Sequence, residues 1–124
     1  MSTLAVNSIV PVTAGSENYF LTRAWANINF SGTLAIRADG NISSVTDIGV
    51  GIARYNYSTS MTDSNYSVSA MSTRGTEDPT LNAGLAIAAI RGSSVYTTSY
   101  TEIGYGAPAW AFTDAVIATF TAVR

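Results

Sequence analysis

Arg23-Ala-Trp-Ala-Asn-Ile-Asn-Phe30, followed by Ser31-Gly-Thr33 and Leu34-Ala-Ile-Arg-Ala38, is the stretch whose reading decides the fold. At period two, Ala24, Ala26, Ile28 and Phe30 fall on one side and Arg23, Trp25, Asn27 and Asn29 on the other, the pattern of a strand with one dry face and one mixed face. Ser-Gly-Thr supplies a three-residue connection, and the chain returns with Leu34, Ile36 and Ala38 alternating against Ala35 and Arg37. The pair reads as a β-hairpin.

Downstream the same grammar recurs. Ala38-Asp-Gly-Asn41 predicts a second tight hairpin, because Asp-Gly supplies the positive φ angles such a turn needs. It leads into a strand over Ile42 to Thr46, then the two-glycine turn Asp47-Ile-Gly-Val-Gly51. From Ile52 to Ser60, Ala53, Tyr55, Tyr57 and Thr59 alternate with Ile52, Arg54, Asn56 and Ser58. After a loop over Met61 to Asn65, Tyr66, Val68 and Ala70 alternate with Ser67, Ser69 and Met71. Arg74-Gly75 and Glu77-Asp78-Pro79 mark the longest polar connection. Ala83 to Arg91 is nearly all apolar; Gly84 weakens a helix there by about 1 kcal/mol relative to Ala, so a strand buried on both faces is expected. Val95 to Ile103 predicts a further strand, Gly104 to Trp110 an irregular Gly/Pro loop, and Ala115 to Val123 a closing strand whose Val116, Ala118, Phe120 and Ala122 face one way and tie the C-terminus into the sheet.

About eight short strands, no convincing helix and no internal repeat predict an all-β chain: an antiparallel β-sandwich, jelly-roll-like. Ahead of it, Leu4-Ala-Val-Asn-Ser-Ile-Val10 is an extended run closed by Pro11 and Gly15-Ser16, either the first strand of the sheet or an arm that adds to a neighbour. The expected organisation is an N-terminal arm over residues 1–16, with Leu4, Val6, Ile9 and Val10 as its attachment residues, and one sandwich domain over 17–124.

Composition narrows the chemistry. The 124 residues include no Cys and no His, which removes disulfides, thiolate nucleophiles, the usual structural zinc sets and the Ser-His-Asp triad by inventory. Charged residues make up 11% of the chain against about a quarter in an ordinary domain, and every cation is Arg. With a net charge of −2 there is no basic footprint for a phosphate backbone, so nucleic acid is not an expected partner. No apolar run reaches the roughly 18–20 residues that span a bilayer, and Met1-Ser-Thr-Leu-Ala-Val-Asn7 has neither the basic nor the apolar region of a secretory signal. The expectation is a protein made in the cytoplasm of its host. Lys and inward-facing charges, the usual protections of sheet edges, look sparse, which favours a sandwich whose edges are covered by copies of itself.

The ordered series Arg23-Ala-Trp-Ala-Asn-Ile-Asn-Phe-Ser-Gly-Thr33, Ala35-Ile-Arg37, Asn41-Ile-Ser-Ser-Val-Thr-Asp47, Gly49-Val-Gly51, Tyr55, Met61 and Asp63-Ser-Asn-Tyr66 resembles a small β-domain that recurs in structural proteins of tailed bacteriophages, often at the C-terminal end of tail fibres. Ala26 stands where relatives tend to carry a β-branched residue, and Ile52-Ala53 replaces a more polar pair. The resemblance implies a non-enzymatic virion protein, a homotrimeric fibre tip or knob that contacts the host surface. A capsid decoration protein bridging major capsid subunits is the alternative, and a glycan-cleaving tail component a weaker one. Partners would be copies of the chain, other virion proteins of tail or capsid, and a host-surface glycan or protein, with no cofactor, no metal and no membrane insertion.

Several residues carry candidate roles. Arg74, Glu77, Asp78, Tyr100, Tyr105 and Trp110 are candidate receptor or partner contacts, because loops on rigid sandwiches commonly carry recognition. Trp25, Arg37, Arg54, Tyr55 and Tyr57 are candidate subunit-interface residues: the aromatics are broad and amphipathic, and a mid-strand Arg calls for a planar acidic partner on another subunit. Trp25 could also stack on a sugar ring, although packing is the simpler role. Glu77, Asp78, Glu102 and Asp114 are the acids from which a glycosidic acid–base pair would have to come, yet their spacing does not demand one. Asp39, Asp47 and Asp63 adjoin turn residues and read as turn formers.

Overall fold

A computed structural model describes residues 22–73, 87–90, 92–107, 111–112 and 117–124. Among the described residues nine strands form two antiparallel sheets: Thr22–Asn29 (β1), Ala35–Gly40 (β2), Ile42–Gly49 (β3), Ile52–Tyr57 (β4), Ser67–Ser72 (β5), Ile87–Ile90 (β6), Tyr100–Ala107 (β7), Ala111–Phe112 (β8) and Ala118–Val123 (β9). The first sheet has the order β2-β1-β9-β5 and the second β3-β4-β7-β6, with the two-residue β8 pairing the end of β7. The fold is the all-β sandwich the alternation predicts, with no α-helix among the described residues. The arm over residues 1–16 lies outside them.

The organising stretch behaves as its period dictates. Ala24, Ala26, Ile28 and Phe30 are buried, while Arg23 and Trp25 are exposed and Asn27 and Asn29 half-buried. β1 pairs with β2 on one side and β9 on the other, so its dry face sits at the centre of the first sheet. Ala118, Phe120 and Ala122 of β9 continue that face, which places the C-terminal strand inside the sheet. Opposite them the second sheet contributes Ala53, Tyr55 and Tyr57 from β4 and Thr101, Ile103 and Tyr105 from β7. Small side chains on one sheet leave room for large ones on the other, and the layers lock where Tyr55 stacks on Phe120 with ring centres 4.5 Å apart and planes 12° from parallel.

Four local expectations are corrected. Ala38–Asn41 is not a hairpin: β2 and β3 belong to different sheets, so this turn is a corner of the sandwich. Asn41 takes the left-handed conformation at φ 59°, and its side chain fixes the corner by donating from Nδ2 to the carbonyls of Arg23 (3.0 Å) and Thr59 (2.9 Å) and accepting the Thr59 N–H at Oδ1 (2.7 Å). The strand expected from Val95 begins at Tyr100 instead, because Ser93–Val95 forms one 3-10 turn and Thr97 then closes a tight turn, its hydroxyl accepting the N–H groups of Ser99 and Tyr100. Gly104 to Ala107 is strand rather than loop: Gly104 is buried between Ile52 of β4 and Ala89 of β6, each its register partner. Within the apolar run 83–91, β6 is a strand, but Ala89 and Ile90 are exposed, so it is not buried on both faces. β2 is exposed along nearly its whole length, Ile36 included, because it is an edge strand.

Candidate functional site

Arg54 on β4 and Glu102 on β7 are directly opposed in register on the outward side of the second sheet. Arg54 Nε and Nη2 both donate to Glu102 Oε1, at 2.9 and 2.5 Å, and the guanidinium lies 4.3 Å from the centre of the Tyr100 ring. Glu102 is only 2% exposed while about a third of the Arg54 side chain stays accessible, 34%. On the same face, Asn56 donates to Ser44 Oγ (3.0 Å) and Thr46 Oγ1 (3.1 Å), carrying a polar row from β3 to β7. The arrangement holds a charge pair in place; its carboxylate is engaged by Arg54 rather than presented to solvent. The mid-strand Arg54 thus finds its acid within its own chain, which corrects the expectation of a partner on another subunit.

A second constellation lies inside. The Tyr55 and Tyr105 hydroxyls bond each other at 2.5 Å, and Tyr105 donates to the Thr119 carbonyl at 3.4 Å, tying the two sheets together. Next to it, the Tyr57 hydroxyl meets Thr101 Oγ1 at 2.7 Å and donates to the Tyr66 hydroxyl at 3.2 Å, while the Tyr66 hydroxyl donates to the Thr97 carbonyl at 2.7 Å. Tyr96 stacks on Tyr66 with ring centres 4.3 Å apart and donates to the Tyr66 carbonyl. Burial pushes the hydroxyls of Tyr55, Tyr57 and Tyr105 well above the usual tyrosine range, since an ionised phenolate would lose its hydration there. These hydroxyls are satisfied within the core and, at Tyr96, along its margin.

The structure separates the residues singled out from sequence. Tyr55 and Tyr57, candidate interface residues, and Tyr105, a candidate receptor contact, are 0%, 7% and 1% exposed, so the core claims all three and neither assignment holds for them. Trp25 is 42% exposed on the outer face of the first sheet, whereas Arg54 is on the outer face of the second; the two cannot belong to one patch. Gly40 on β2 makes room for Trp25, since a Cβ there would stand 2.3 Å from the indole Nε1. The indole thus lies against β2 of its own sheet, on the outer face rather than between the two sheets. Arg37 is exposed on β2, and Tyr100 is half-buried under the Arg54 guanidinium. Arg74, Glu77, Asp78 and Trp110, and the arm residues Leu4, Val6, Ile9 and Val10, lie outside the described residues.

Asp47 and Asp63 act as turn formers, accepting the N–H groups of Gly49 (3.0 Å) and Asn65 (2.8 Å), and Asp63 also pairs with Arg124 at 2.7 Å. Sequence reasoning missed Asn41 as the corner residue and Glu102 as a buried anchor. Asn, which tolerates the left-handed region, next to Asp-Gly was the available signal for the first. Among the described residues no three His, Cys, Asp or Glu side chains gather into a metal-binding group, and no helix is long and apolar enough to cross a membrane. No family model, curated protein or solved structure matches the chain.

Proposed function

We propose that the chain is a non-enzymatic structural protein of a bacteriophage particle, a small β-sandwich module that assembles with copies of itself and is displayed at a fibre tip or knob, where it meets the host surface. One observation carries this reading. The residues that resemble the phage β-domain are those that build the framework: Ala24, Ile28, Phe30, Ile42, Tyr55, Met61 and Tyr66 are all buried, and Asn41 and Gly51 hold turns at positive φ. The likeness therefore falls on core and turn positions shared between the two sheets, and it speaks for the framework of the fold rather than for a reacting group. The polar chemistry points the same way, because Glu102 is held by Arg54 and the core hydroxyls bond one another.

Labelled-antibody electron microscopy on purified particles tests the proposal. Label at the tail tip supports the fibre-tip role, and label spread evenly over the head supports the capsid-decoration alternative. Particles that carry no label, with the chain remaining in the soluble fraction, would refute both.

A further inference from the structure

The sandwich has two flanks, and they are built differently. On one flank lie β2 and β3, one edge strand from each sheet, and both carry devices that block strand addition. In β2 the register slips between Asn27 and Ile28, leaving Arg37 as the extra residue of a bulge, and Asp39 stands opposite the buried Ala26 on the inward side. In β3 the register slips at two places, and Asp47 stands opposite the buried Ala53. A bulge bends the edge away from a flat partner, and an inward acid on an edge strand would be stranded without water once another strand covered it. The inward charges that looked sparse in the sequence are therefore present on this flank.

On the other flank β5 pairs with β9 through six consecutive residues without a slip, and Ser67 to Ser72 contains no charge and no Pro. Among the described residues its far edge pairs with no strand. Ser67, Ser69 and Met71 face outward and Val68 and Ala70 inward, with Met71 73% exposed.

We infer that a second copy of this chain docks on β5, joining edge to edge by antiparallel β5–β5 pairing about a two-fold axis at Ser69 and doubling the four-stranded sheet. The strand is complementary to itself in that register. Val68 comes opposite the partner's Ala70 and Ser67 opposite the partner's Met71, so each larger side chain meets a small one, and no like charges meet. Because the β2–β3 flank is guarded and β6, the other edge strand of the second sheet, offers only four residues among those described, the self-complementary β5–β5 contact is favoured, and it closes as a two-fold dimer. The inference rests on the proposed self-assembly and specifies its geometry, dimeric where the phage resemblance implied a trimer.

The full chain should sediment at twice its 13.0 kDa mass. The double variant Ser69→Lys/Met71→Lys, both outward and exposed, should weaken dimerisation by at least about tenfold while leaving the far-ultraviolet spectrum and melting profile in place. Ile36→Lys on the guarded β2 should leave the dimer intact. Since the chain has no Cys, Ser69→Cys gives a single thiol that should form a disulfide dimer on mild oxidation, because opposed Cα atoms about 4.5–5.5 Å apart fall within disulfide reach. A monomer or trimer at every concentration, a dimer indifferent to the double Lys variant, or a Ser69→Cys protein that stays a free thiol would overturn the inference. Any of these would leave the particle-labelling result untouched, so the two proposals fail separately.

Discussion

The two sheets of this sandwich solve the same packing problem with opposite materials. The first sheet lines the interior with alanines, Ile28, Phe30 and Phe120, with no polar side chain among its described buried residues. The second adds tyrosines and Thr101 to its Ala53, Ile42 and Ile103 and sinks a carboxylate beneath its outer face. A core of this kind must satisfy every hydroxyl it buries, because an unpartnered one costs about 1–3 kcal/mol. The difference teaches where each sheet is vulnerable: volume on the first, hydrogen-bond pairing on the second.

The comparison breaks most sharply at Phe120, the ring of the first sheet that stacks on Tyr55 and tilts against Tyr57 at 6.3 Å. Phe120→Ala should cost about 3–5 kcal/mol, read as a fall in the urea midpoint with the slope unchanged. On the second sheet Glu102→Ala removes the acceptor that holds Arg54, at a cost of about 2 kcal/mol, because the Arg keeps partial access to water. Adding Arg54→Ala to that variant should cost little more, and a double-mutant cycle that finds the two changes additive would deny the coupling. Tyr55→Phe deletes one hydroxyl of the 2.5 Å pair and should cost about 1 kcal/mol while leaving the ring stack intact. The smallest effect has the opposite sign. Among the described residues the buried Asn27 Oδ1 on the first sheet has no hydrogen-bond partner, so Asn27→Val should stabilise the protein by up to about 1 kcal/mol, seen as a higher melting temperature.

How much was legible in the sequence follows the range of the interactions. β1, β4 and β9 were readable because one face of each is buried, and a period of two is then written into the residues themselves. The Asp39-Gly40-Asn41 turn was visible as a turn, yet whether it closes a hairpin or a corner depends on which sheet accepts the following strand, a choice made far along the chain. Gly104 and Gly106 resembled loop residues, since glycine in the middle of a strand is justified only by close neighbours on either side, and those are Ile52 and Ala89 for Gly104. Tyr55, Tyr57 and Tyr105 suit a surface as well as a core on composition alone; it is their mutual bonding partners, on other strands, that place them inside. The Arg54–Glu102 pair joins residues 48 apart in sequence, beyond the reach of any local pattern.

The central claim is that this chain turns its ionisable tyrosine chemistry inward, and an alkaline titration tests it directly. Tyr55, Tyr57 and Tyr105 keep their protons in the fold above the pH at which an unfolded tyrosine, near 10, loses its own. Their contribution is therefore complete below about pH 10 and drains as pH rises beyond it, by about 1.4 kcal/mol per pH unit for each residue, because the unfolded chain releases protons that the folded chain retains. Followed by absorbance at 295 nm alongside the far-ultraviolet β signal, these three tyrosines should stay silent through pH 10 and ionise together only as the sheet signal collapses. Ionisation of Tyr55, Tyr57 and Tyr105 near pH 10 with the sheet signal intact would contradict the account.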